Sequence, residues 1–252
     1  TAAAAERIFE LLDEEDEVWE EPKATFDHKD FASNITFDHV SFGYGNKPVI
    51  KDFSFNIEPG KRIAIVGPTG AGKTTIVKLL MRFYELNSGR ILINNVDIKD
   101  YSRKDLRDMF GMVLQDTWLY SGTIMDNIRY GNMKATDEEV IAAAKAAHIH
   151  HYIKTQPKGY NMEINEEATN ISQGQKQLLT IARAILADNP IMILDEATSS
   201  VDTRTEILIQ KAMANLMVNR TSFIIAHRLS TIKNADDILV IDNGDIVERG
   251  NH

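Results

Sequence analysis

The sequence predicts an α/β fold, with a parallel-sheet core, an antiparallel β-rich front and a helical segment. Three observations predict it. Alternating apolar and polar runs fill residues 34–57. Nearly unbroken apolar runs recur at "KRIAIVG", "NPIMILDE" and "RTSFIIAH", the pattern of strands buried on both faces. Helix-forming stretches separate those runs, as the crossovers of a parallel sheet require.

The elements follow in order. "AAAAERIFELL" combines good helix formers with an apolar stripe at Ile8, Leu11 and Leu12, and then runs into the acidic "DEEDEVWEEP". It reads as a short helix and a solvated linker ending at Pro22. "NITFDHVSFGY" and "DFSFNI" read as antiparallel strands with one wet face. "KRIAIVG" is a buried strand, with a helix expected from about Gly72 to Phe83. "GMVLQ" ends another strand, and residues 123–187 read as mainly helical. Asn243–Gly244 signals a hairpin near the end.

Bulk properties narrow the function. The chain has 252 residues, 43% of them hydrophobic, enough for a sizeable core. Its net charge of -9 argues against a protein whose main task is gripping nucleic acid. Cysteine is absent, which excludes disulfides and thiolate zinc sites. No run of about 18 apolar residues is present to span a membrane.

"GPTGAGKTT", residues 67–75, packs no core. It matches the phosphate-binding pattern G-x-x-x-x-G-K-[ST] at Gly67, Gly72, Lys73 and Thr74, between a buried strand and a helix. Glycines let backbone N–H groups close around an anion, and the helix N-terminus adds to the field. Lys73 can reach the β- and γ-phosphates, and the Thr74 hydroxyl can reach Mg²⁺. Pro68, Thr69, Gly70, Ala71 and Thr75 complete the loop. The core is therefore expected to be of the P-loop NTPase kind.

"IMILDEATSSVD" supplies carboxylates at a strand tip. Asp195 can hold the Mg²⁺ shell through water, and Glu196 can polarise an attacking water. Without a phosphate loop the pair would only be acids capping a strand. "NISQGQKQLLTIARAIL" opens a long amphipathic helix with Ser172 as N-cap. Two anion-binding helix starts exceed what one nucleotide needs, so the second is expected to serve a nucleotide held by another chain.

These motifs, in this order, resemble the nucleotide-binding domain of ABC transporters of the exporter type, over nearly all of residues 34–250. The resemblance makes "GPTGAGKTT" the Walker A loop, "ILDE" the end of Walker B, and Glu196 the catalytic base. It makes Gln115, in "VLQDTWLYSGTI", the Q-loop residue that senses Mg²⁺ and water. Ser172, Gln173, Gly174 and Gln175 stand at the signature, Asp202 ends the D-loop, and His227 lies near the γ-phosphate. Tyr44 falls where an aromatic stacks on adenine, the alternative being a strand aromatic in the β-sheet core. The implied cofactors are ATP and Mg²⁺. The implied partners are the transmembrane domain, through its coupling helices, and a second ABC ATPase domain. The implied location is the cytoplasmic face of the inner membrane, and the domain is expected to be soluble when isolated.

On the same resemblance, residues 1–22 are a connecting helix and linker from a membrane domain. Residues 23–252 are the ATPase domain, shortened at its C-terminus, with its helical subdomain at about 123–187. Gln173 replaces the first glycine of the family's Leu-Ser-Gly-Gly-Gln. A side chain there is expected to crowd the γ-phosphate cradle, which implies a non-identical mate with a degenerate catalytic site. A tolerant homodimer is the alternative. Trp118 and Tyr120, just past Gln115, read either as a docking surface for a coupling helix or as core packing. His148, His150 and His151 read as a solvated helix end, not a metal site. The competing function is a soluble ABC-type ATPase acting on nucleic acid or ribosomes. Against it stand the acidic surface and the lack of sustained heptads between Thr74 and Ser172.

Overall fold

The protein is described by a computed structural model covering residues 2–14, 21–27, 31–114, 116–165, 169–195, 201–226 and 232–252. In chain order its elements are α1 (Ala2–Leu12), β1 (Ile35–Tyr44), β2 (Lys47–Ile57), β3 (Arg62–Val66), α2 (Lys73–Leu80), β4 (Ser88–Ile93) and β5 (Val96–Asp97). There follow α3 (Arg103–Asp108), β6 (Phe110–Val113), β7 (Gly122–Thr123), α4 (Ile124–Arg129), α5 (Asp137–Ala146), α6 (His150–Thr155) and β8 (Glu163–Ile164). The chain continues through α7 (Gln173–Ala187), β9 (Ile191–Asp195), α8 (Thr203–Leu216), β10 (Thr221–Ile225), β11 (Asp237–Asp242) and β12 (Asp245–Gly250).

The main sheet has the order β12-β11-β3-β10-β9-β6. All neighbours pair in parallel except the edge hairpin β11–β12. The apolar runs explain why. Along β3, Ile63 and Ile65 enter one core and Ala64 the other. Along β9, Ile191 and Ile193 alternate with Met192 and Leu194 in the same way. Along β10, Phe223 and Ile225 alternate with Ile224. Both faces are covered, so the central positions along these strands are apolar, and the buried hydroxyls at the start of β10, Thr221 and Ser222, are hydrogen-bonded. Each fully buried isoleucine contributes roughly 1.5–3 kcal/mol.

One face meets a second, antiparallel sheet of order β2-β1-β4-β5, through Phe37, Phe53 and Ile91. The other face carries α7 and α8, with α4 and α5 packed on α7. The helical expectation for residues 123–187 is met by α4 to α7. The helix expected to reach Phe83 ends at Leu80, where Arg82 turns left-handed with φ 53°. Arg82 is buried and its Nε donates to Glu85 Oε1 at 2.8 Å. The two strands expected at the front prove to be half of the antiparallel sheet. Asn94 and Asn95, at φ 52° and 63°, make the β4–β5 turn that completes it. Among the described residues no helix is long and apolar enough to cross a membrane.

Candidate functional site

Parallel strands deliver the functional groups to one edge. β3, β10, β9 and β6 are neighbours and all run the same way. Ile65, Ile225 and Asp195 are register partners across three of them, and Val113 pairs with Leu194 on the fourth. Ligand sites of open α/β sheets lie at this carboxyl edge. The phosphate loop leaves β3, and Asp195 is the last residue of β9.

The loop's shape is set by its glycines. Gly70 and Gly72 have φ of 85° and 106°, conformations that L side chains rarely adopt. A Cβ on Gly67 would lie 2.1 Å from the Ile241 carbonyl oxygen. Gly72 caps α2, and Lys73 is its first residue. Lys73 Nζ donates to the carbonyls of Gly67 at 2.7 Å and Pro68 at 2.9 Å. The ammonium is thus folded over the loop, and a phosphate oxygen entering the loop competes for the same three protons.

A cleft of about 810 Å³ opens over this loop. Tyr44, Thr69, Gly70, Gly72, Lys73, Thr74, Thr75 and Asp195, all marked by the sequence, line it together. Tyr44 stands at the rim, 42% exposed, edge-on to Phe42 and Tyr84 at 4.9 and 5.2 Å. It is therefore not a core residue, whereas Phe42 and Phe53 are buried. The cleft also takes Lys47, Val49, Lys51, Ile225 and Asn243, which sequence reasoning missed. The period-two pattern of β2 concealed the two lysines as ordinary wet-face residues. Lys47, Lys51 and Lys73 make the lining cationic, as a polyphosphate requires. Thr74 and Asp195 also form a wall of a second, mostly apolar hollow of about 500 Å³ with Phe83, Tyr84, Met112 and Leu114. A hydroxyl and a carboxylate brought to one wall are hard oxygen donors of the kind Mg²⁺ takes.

A profile of the family described as ABC transporter matches residues 50–199. The chain belongs to the ABC transporter family. It is 57% identical over 251 residues to a fatty acid ABC transporter ATP-binding/permease protein of Mycobacterium bovis, covering 99% of this chain and 39% of that one. It is 47% identical over 250 residues to an ATP-dependent lipid A-core flippase of Desulfotalea psychrophila, covering 99% and 44%. A solved bacterial Atm1-family ABC exporter with ATP bound superposes with a TM-score of 0.86 at 43% identity, covering 98% of this chain and 43% of that one. The chain spans less than half the length of these relatives. The α/β architecture of parallel core, antiparallel sheet and helical segment is that of an ABC ATPase domain.

The residues that the sequence resemblance assigned to a signature and a D-loop lie elsewhere. None of Ser172, Gln173, Gly174, Gln175 and Asp202 lines the cleft. Ser172 caps α7 in a reciprocal box: its hydroxyl accepts from Gln175 N–H, and Gln175 Oε1 accepts from Ser172 N–H at 3.1 Å. Gly174 is tightly held, since a Cβ there would meet Thr205 Cγ2 at 2.5 Å and Val201 Cγ1 at 2.9 Å. Asp202 caps α8 through the N–H groups of Thr205 and Arg204, and the hydrogen bonds from the Thr205 backbone and side chain, above all, hold its carboxyl below the usual range. Gln173 Nε2 donates to Thr117 Oγ1 at 3.2 Å.

Trp118 is 59% exposed and Tyr130 55%, so the aromatics past β6 form a surface and not a core. With Tyr120 they stand around Arg183 of α7, whose guanidinium lies 5.8 Å from the Trp118 ring and 5.2 Å from Tyr130. Arg183 donates to the carbonyls of Asn127 and Trp118 and to Asn127 Oδ1. Gln115, Glu196 and His227 lie outside the described residues. In the chain they follow the ends of β6, β9 and β10.

Proposed function

We propose that the chain is the ATP-binding and ATP-hydrolysing motor domain of an ABC exporter, occupying residues 23–252, with residues 1–22 connecting it to a membrane domain. One observation carries the reading. The phosphate loop, Thr74 and Asp195 share a cationic cleft at the carboxyl edge of a parallel sheet, with Tyr44 at its rim.

In this reading Tyr44 stacks on adenine, residues 67–75 cradle the phosphates, and Lys73 exchanges the Gly67 and Pro68 carbonyls for phosphate oxygens. Thr74, Asp195 through water, and Gln115 would hold Mg²⁺, which neutralises charge on the β- and γ-phosphates when bound. Glu196 is the general base for the attacking water, and His227 contacts the γ-phosphate. The signature residues serve the nucleotide of a second ABC ATPase domain. Their absence from this chain's own cleft supports that division. In the same reading the Trp118 surface receives a coupling helix of the transmembrane domain, with the chain at the cytoplasmic face of the membrane.

The test is nucleotide titration and phosphate release on paired variants. Lys73→Ala is expected to lose ATP binding. Glu196→Gln keeps the shape without the basic oxygen, so it retains binding and loses hydrolysis by roughly two to four orders of magnitude. Unchanged ATP affinity in Lys73→Ala refutes the phosphate-loop reading. Turnover near the parent rate in Glu196→Gln, measured in the full transporter, refutes the assignment of the base.

A further inference from the structure

The turn between β11 and β12 bears none of the residues marked for nucleotide chemistry, yet it grips the phosphate loop. The Ile241 carbonyl oxygen faces Gly67 so closely that no Cβ fits between them. The Gly244 N–H donates to the Ala71 carbonyl at 3.1 Å. The same turn presses on β2: a Cβ on Gly244 would lie 1.9 Å from the Val49 carbonyl oxygen, and the Lys51 N–H donates to the Gly244 carbonyl at 3.4 Å. Lys51 Nζ also pairs with Asp245 at 3.1 Å. Asn243 and Gly244, at φ 47° and 82°, make this tight approach possible.

The bond to Ala71 has a directional consequence. A trans peptide is planar, with its C=O and N–H pointing opposite ways. Holding the Ala71 carbonyl toward the turn aims the Gly72 N–H away from it, and Gly72 lines the cleft. A Cβ added at Gly70 would meet nothing within 4 Å, so no packing against that position supports the loop there.

We propose that Gly244 is a positioning residue for nucleotide binding: it wedges the β11–β12 turn between β2 and the phosphate loop, and its N–H sets the loop peptide that faces the phosphates. The proposal rests on the reading that the cleft binds ATP. It adds a structural support some 170 residues downstream of the loop itself.

The experiment compares the 252-residue chain with Gly244→Ala and Gly60→Ala by calorimetric titration with Mg-ATP and with inorganic tripolyphosphate. Gly60 has a similar φ of 74° and nothing near its missing Cβ, so it reproduces the backbone strain alone. Gly244→Ala is expected to weaken both ligands by about tenfold or more, and Gly60→Ala to leave both within about twofold. Equal losses in the two variants, unchanged binding in Gly244→Ala, or a loss confined to ATP overturns the proposal. Should Gly244→Ala fail to fold, amide exchange of the parent decides. Protection of the Gly244 N–H must rise about tenfold or more on saturation with ATP, because two linked events stabilise each other equally. Unchanged protection overturns the proposal. Retained ATP affinity in Lys73→Ala would instead sink the nucleotide reading beneath it, and the two failures are distinct.

Discussion

Arg183→Ala removes the centre of the exposed aromatic surface. Arg183 donates three hydrogen bonds, to the Asn127 and Trp118 carbonyls and to Asn127 Oδ1, at 2.9–3.2 Å. At roughly 1.5 kcal/mol for each bond from a charged donor, these contribute about 4–5 kcal/mol. Two aromatic faces add about 0.5–1 kcal/mol each. Opposing this, burial withdraws the guanidinium from water and lowers its pKa. The net expected loss is about 3 kcal/mol, a drop of roughly 6–12 °C in melting temperature for a domain of this size. Arg183→Lys keeps the charge but not the planar fork, so it should fall between parent and alanine. Scanning fluorimetry gives the melting temperature. In a Trp19→Phe background the emission of Trp118 should also shift to the red as its support is lost. A melting temperature within about 2 °C of the parent would show that the surface does not depend on Arg183, and the reasoning fails.

Two further outcomes follow from the helix caps and the titrating groups. Ser172→Ala removes the hydroxyl arm of the α7 cap, leaving the backbone N–H that bonds Gln175 Oε1, and should lower stability by about 1 kcal/mol, with Ser172→Thr retaining most of it; urea unfolding with equal midpoints for parent and alanine would contradict the cap. The Tyr160 phenol, bonded to His150 Nδ1 at 2.8 Å, is pushed up to about 12 by burial. Between about pH 10 and pH 12 the unfolded chain has therefore released a proton that the folded chain keeps. Stability then falls as pH rises through that window. Tyr160→Phe should flatten that slope, and an unaltered slope in urea midpoints would refute the assignment.

Much of the site could be read in the sequence because its demands are local. A phosphate loop needs glycines and a lysine at fixed offsets, and a buried parallel strand needs an unbroken apolar run. Both signals sit in contiguous residues. The parts that were missed are assembled from a distance. Lys47, Lys51 and Asn243 meet in one cleft from β2 and a hairpin nearly two hundred residues later. β4 and β5 escaped because Ser88–Arg90 is polar and exposed, although Asn94–Asn95 was a readable turn signal. Arg183 looks like an ordinary helix former in "IARAIL", and only the fold shows three carbonyl and amide oxygens arranged around it.

Gln173 shows how a structure changes the weight of a sequence argument. Read as a side chain in place of a glycine, it implies crowding of a γ-phosphate cradle and hence a mate of a different kind. That inference assumes the side chain has nowhere else to go. Here its amide reaches sideways to Thr117 Oγ1, on the segment that leads from β6 to Trp118. The glycine whose absence the structure would not tolerate is the next one, Gly174, with Thr205 and Val201 closing on its Cα from α8 and the residues before it. A Cβ at 2.5 Å from a methyl must displace α7 or α8, whereas a long amide at the exposed first position of a helix has rotamers to spare. The signature as it stands, Ser172 capping, Gly174 packing and Gln175 closing the cap, therefore keeps the helix start intact. Gln173 alone gives no physical reason for a non-identical partner. In the proposed reading the partner is a second ATP-binding domain, and nothing about Gln173 asks that it differ from this one.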